Sequence, residues 1–272
     1  MLGQFVIMLR EAFEAALIIA IILAYLRRSG LTAYTKGVWL GVSLSIIVSI
    51  LIGVAVMLFY GAVWKKELFE AIASYLAVAV LTSVIYWMAI KGNQMKAYVE
   101  ERVSRAASSL ALAAVTFVIV FREGVETVLF LTPFMTSNPV DTIIGLILGL
   151  ASALGLAYAM YAMGVRIDLR KFFYYSSLIL VLVASGLLGY GTHEFIEYLE
   201  DEGVDLGWLA EEAYDLGIPE DSIWSHKGAI GSLFAVLTGY STSMEWGRIL
   251  VQLPYLIVAS IAVTRIYGRS AG

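Results

Sequence analysis

Cysteine is absent from the 272 residues, so disulfides and thiolate metal sites are excluded, while the redox compartment stays open. Histidine occurs only twice, which leaves few imidazole ligands. The first residues lack a basic segment, and Arg10, Glu11 and Glu14 interrupt the apolar stretch behind them, so a cleaved signal peptide is not expected. The net charge of −4 is small and its distribution says more than its sum; no nucleic-acid partner is expected.

Apolar side chains are abundant. They make up 60% of the chain, with a mean hydropathy of +0.85, against about 45 to 50% in soluble domains. The apolar runs are close to 20 residues long, not alternating tracts of about ten, which points to membrane helices and away from a barrel. The expected fold is all-α: a single polytopic membrane domain over residues 1–272 with seven transmembrane helices. These lie at about 4–26, 38–60, 71–90, 108–131, 142–163, 174–196 and 248–267. The shorter apolar stretch Gly228 to Tyr240 reads as a re-entrant or interfacial segment.

Alternate loops carry the basic residues: Arg27, Arg28 and Lys36; Lys91, Lys96, Arg102 and Arg105; Arg166, Arg170 and Lys171; and finally Arg265 and Arg269. Basic residues in short loops stay cytoplasmic, so the N-terminus is expected outside and the C-terminus inside a cytoplasmic membrane. The longest outward loop, about 194–227, holds eleven acidic residues between Glu194 and Asp221 with no Lys or Arg among them. It is read either as a solvated acidic loop or as an electrostatic funnel that concentrates cations at an outer mouth.

Charges inside the spans are rarer and more informative. Arg10, Glu11 and Glu14 in MLREAFEAALI recur as Arg122, Glu123 and Glu126 in VFREGVETVLF. A charge at the centre of a membrane helix costs roughly 2.5 to 3.5 kcal/mol on insertion scales, so six in two matching groups point to function. On a helix each Arg reaches the second Glu at i+4, while the two Glu, three apart, share a face. Four carboxylates against two guanidinium groups leave a negative surplus that a multivalent cation would neutralise, and hard oxygen ligands suit Mg, Ca, Mn or ferric ions. The alternative is that these ion pairs only lock helices together.

The first span runs inward and the fourth outward, so spans one to three and four to six have opposite topology. Inverted three-helix repeats over about 1–92 and 106–198, plus a final helix at about 248–267, would place the two motifs opposite each other at mid-membrane. A homo-oligomer is the other route to such a meeting. Weaker candidates sit at the outer entrance: His193 with Glu194 and Glu197 at the end of span six, and His226 and Glu245 on either side of the short apolar segment. Gly41, Gly53, Gly145, Gly149 and Gly155 are read as helix-packing positions. Trp87 is read as part of an interfacial belt, and Tyr25, Tyr86, Tyr158 and Tyr190 as candidate polar pore residues.

The paired REAFE and REGVE sequences, with seven spans and an acidic outward loop, resemble the oxidase-dependent iron permeases, a family of fungal and bacterial members. The likeness covers nearly the whole chain. It departs before the last span, where GYSTSMEWGRIL from Gly239 lacks the Pro-Ser that many relatives carry. The resemblance implies a permease with no covalent chemistry and no cofactor, importing iron as its substrate. The ion would arrive as ferric iron from a separate extracytoplasmic oxidase or delivery protein. Glu11, Glu14, Glu123 and Glu126 would be metal ligands, with Arg10 and Arg122 in support. Other readings are a carrier of another divalent metal such as lead or manganese, an intramembrane carboxylate-metal oxidase, or a structural subunit. The oxidase reading lacks the expected Glu-x-x-His ligands in both motifs.

Overall fold

Backbone groups in hydrocarbon find partners only within a helix or a closed barrel. The apolar runs here form helices in the computed structural model, which describes residues 1–91, 94–106, 108–162, 168–219, 222–225, 231 and 240–269. Among the described residues the chain order is α1 (Leu2–Arg28), α2 (Thr35–Ala62), α3 (Lys66–Lys91), α4 (Met95–Ser104), α5 (Ser109–Ser137), α6 (Pro139–Ala162), α7 (Leu169–Asp201) and α8 (Trp246–Arg269). The protein is all-α but for a two-stranded antiparallel ribbon of β1 (Glu212–Asp215) and β2 (Ser243–Glu245). Among the described residues five helices, α2, α3, α6, α7 and α8, are long and apolar enough to cross a membrane. The other two long helices, α1 at 27 residues and α5 at 29, carry the two charged motifs.

The helices pair across the sequence. α1 packs on α6, α2 on α5, and α3 on α7, with α8 against α7 and direct contact between α1 and α5. Glycine makes two of these pairings close. A β-carbon on Gly41 of α2 would meet the Ala113 carbonyl and lie 2.9 Å from the Phe117 nitrogen of α5. One on Gly149 of α6 would lie 2.6 Å from the Phe5 carbonyl of α1. Each of these glycines has a partner four residues earlier, Gly37 and Gly145, on the same interface. Gly53 makes only ordinary contact with Val128, and Gly155 faces open space, so the packing role expected of Gly155 is not seen.

The outward faces of α2 and α6 expose Leu44, Ile47, Leu51 and Leu58, and Ile147, Leu148 and Leu154. That arrangement suits helices wetted by lipid, and it leaves α1, α5 and α7 to form the interior.

Three elements differ from expectation. α7 runs on to Asp201, so Glu194, Glu197, Glu200 and Asp201 belong to a helix and not to the acidic loop. Hydropathy stops where the hydrocarbon stops, but the backbone stops at Gly203, whose φ of +80° closes the helix as the Gly203 N–H donates to the Glu200 carbonyl and the Val204 N–H to that of Leu199. α4 was not expected; it buries Met95, Val99 and Val103, spaced by four, and packs against α1. The ribbon draws the chain after α7 back to the start of α8. The short apolar segment expected at 228–240 lies, apart from Gly231 and Tyr240, outside the described residues.

Overpacking a tight interface typically costs about 1 to 3 kcal/mol. Gly41→Val and Gly149→Val are therefore each expected to lower the melting temperature of the protein in detergent, while Gly155→Ala leaves it unchanged; equal effects at all three positions would contradict the pairing.

Candidate metal-binding centre

Each Arg-Glu-x-x-Glu group occupies a mid-helix stretch with no break in the backbone, so the helical spacing sets the geometry. On α1 all three charged side chains are buried, with Arg10 and Glu11 each 1% exposed. The Arg10 guanidinium is hydrogen-bonded to Glu11 and lies 3.6 Å from Glu14. On α5 the Arg122 Nε donates to Glu126 at 2.7 Å. The two arginines differ in setting: Arg122 is half exposed and lies 5.1 Å from the centre of the Trp87 ring. Trp87 thus packs on a motif arginine.

The contact between α1 and α5 joins the motifs. Glu11, Glu123 and Glu126 each offer a carboxylate oxygen, and these oxygens all lie within 4.8 Å of one another. Glu14 stands outside this trio, beside Arg10. Second oxygens of Glu11, Glu14 and Glu126 are buried with no hydrogen-bond partner among the described residues. An unsatisfied buried carboxylate oxygen is costly, and a cation would satisfy several at once. Spacing indicated which side chains share a face; it carried no information on α1 meeting α5.

A second group lies at the far end of α7. His193, Glu194 and Glu197 present ligand atoms within 4.8 Å of one another. The His193 Nδ1 is 2.8 Å from Glu245 Oε1 on β2, so the ribbon adds a residue 52 positions away. His193, Glu197, Glu200 and Glu245 line a cavity of about 260 Å³. Burial raises the Glu245 carboxyl pKa, but the hydrogen bond and charge of His193 outweigh it and hold the group below its usual range. His226 lies outside the described residues.

Sequence reasoning missed Glu70. It sits on the second turn of α3, only 8% exposed, and accepts hydrogen bonds from Tyr60 at 2.5 Å and from Tyr190. Its signal was the face it shares with buried Ala71, Ser74 and Ala77, one residue outside the expected span. Tyr190 is thus placed in a polar cluster, whereas Tyr86 and Tyr158 are exposed at 57% and 66%.

The iron permease FTR1 family model matches residues 1–265. An uncharacterized protein of Archaeoglobus fulgidus is 48% identical over 271 residues, covering 99% of this chain and 96% of its own. The ferrous iron permease EfeU of Yersinia pestis is 32% identical over 269 residues, covering 96% and 92%. EfeU of Escherichia coli O6:K15:H31 is 31% identical over 270 residues, covering 96% and 95%. No solved structure matches the chain.

A carboxyl with a lowered pKa lends stability above its unfolded value, about 4.3 for Glu, and that stability is lost as pH falls through the folded value. Acidification is therefore expected to loosen β2 from α7 and speed hydrogen exchange in the ribbon, with no such pH step in Glu245→Gln.

Proposed function

Since the chain belongs to the iron permease FTR1 family and is a multi-pass membrane protein, we propose that it imports iron through the carboxylates of its two Arg-Glu-x-x-Glu motifs. The observation that carries this reading is the buried trio of Glu11, Glu123 and Glu126, drawn from both motifs, with unpartnered oxygens beside it. Carboxylate oxygens without thiolate or imidazole favour a hard ion, which supports ferric iron supplied by an extracytoplasmic oxidase. The name borne by the Yersinia and Escherichia relatives favours a second reading, in which the ion crosses as ferrous iron.

In this mechanism the ion gathers at the acidic end of α7, where His193, Glu194, Glu197 and Glu245 form the outer entrance. It then passes to Glu11, Glu123 and Glu126. Arg10 and Arg122 hold the carboxylates apart from one another when no ion is present, and Glu14, freed from Arg10, takes the ion onward. The protein performs no covalent step.

We further infer seven spans, with α1 and α5 crossing beside the five apolar helices. The halves are inverted: the first helix of each packs on the second helix of the other, α1 on α6 and α5 on α2, which supports a two-fold relation. The basic loops support an outer N-terminus and a cytoplasmic C-terminus.

Two experiments test the proposal. Liposomes holding the purified chain are expected to take up iron from ferric citrate in preference to ascorbate-reduced iron, with uptake at least tenfold lower, on the order of 1.4 kcal/mol, in Glu126→Ala and Glu11→Ala. Normal uptake in both variants would sink the carboxylate pathway, and a preference for reduced iron would select the second reading. Because the chain has no cysteine, single introduced thiols report topology: Gly61→Cys is expected to react with an impermeant reagent from outside and Ser29→Cys only after the membrane is opened.

A further inference from the structure

A second cavity, of about 590 Å³, opens between α1, α3, α4, α7 and α8 at the end of the bundle where α1 finishes. Its wall along α1 is one helical stripe from Leu17 through Ile21 and Ala24 to Arg28. Eleven residues at 1.5 Å each give a depth of about 16 Å, close to half of a hydrocarbon core about 30 Å thick. The slot therefore spans about one leaflet. Met88 and Phe173 complete an apolar lining in which water would find few of the partners it needs.

The mouth is different in character. Arg28 at the end of α1, Lys96 on the first turn of α4 and Arg170 on the first turn of α7 all line it. Glu100, the acidic residue of the same lining, is ion-paired with Arg28, and Arg170 also donates to the Tyr267 carbonyl at 2.6 Å. Two cationic charges remain in excess. A slot one leaflet deep, apolar below and cationic at the level of the headgroups, has the shape and charge of a phospholipid.

We propose that this cavity is a binding site for an anionic phospholipid, with an acyl chain along Leu17 and Ile21 and the phosphate between Lys96 and Arg170. A metal cation would be repelled at this mouth, so the site is distinct from the ion path. The lipid would brace the lower half of α1 against α7, where Phe13, one residue before Glu14, already packs its ring 4.6 Å from Phe172. The inference goes beyond iron transport and rests on the reading of α1 as a membrane span.

The test is native mass spectrometry of the full chain in mild detergent, supplied with phosphatidylglycerol or with phosphatidylcholine, and a thermal-shift arm with inorganic phosphate. Phosphatidylglycerol is expected to be retained roughly fivefold or more over phosphatidylcholine, with the preference lost in Lys96→Gln/Arg170→Gln. Because Arg170→Gln also removes a structural hydrogen bond, Ala24→Trp serves as the second variant: it leaves every charge in place, fills the slot and is expected to lose the lipid. Equal retention of the two lipids, or retention unchanged in both variants, would overturn the proposal. A phosphate shift matching that of the lipid would overturn it in favour of a bare anion site. Since retention is read without iron, a failed uptake assay leaves this result standing.

Discussion

The constraint on which this structure turns is the cost of holding ionised groups in hydrocarbon. A buried carboxylate survives only with a counter-charge and hydrogen bonds to its oxygens. Arg10, wholly enclosed, supplies both to Glu11 and a counter-charge to Glu14. That requirement pulls α1 and α5 to the centre of the bundle and leaves the most apolar helices, α2 and α6, facing lipid. The glycine contacts follow from it, because the outer helices must approach closely enough to seal the charged ones from the membrane.

The two motifs are alike in sequence but not in setting. Arg10 has no route to solvent, while Arg122 is half exposed and rests on Trp87. If the carboxylates carry the ion as proposed, an enclosed guanidinium would hold its partners in a fixed geometry and a less enclosed one would release Glu126 at lower cost. For the proposed pathway, that asymmetry would supply a direction that a two-fold relation alone would leave open.

Much of this was legible in the chain. Helical class and the positions of the long apolar helices follow from hydropathy, and the cost of membrane charges singles out the six motif residues as candidates. Helix spacing gave the pairing of Arg122 with Glu126. Glu70 was hidden because the apolar run begins one residue after it, so its burial depends on Tyr60 and Tyr190 from other helices. The end of α7 was hidden because charged residues continue a helix as well as apolar ones do, and only the backbone of Gly203 stops it. The approach of Glu245 to His193 needed the ribbon, whose strands are three and four residues long and carry no periodic signal.

The exchange of partners between α1 and α6, and between α5 and α2, has a consequence for how the protein is made. α1 emerges from the ribosome first, but the helix that seals it begins only at Pro139, and the carboxylates facing it lie on a helix that starts at Ser109. Arg10, Glu11 and Glu14 are therefore made before their shelter exists. Neither half can bury its own charges. Completing the shelter of α1 therefore waits on contacts with helices more than a hundred residues further along the chain.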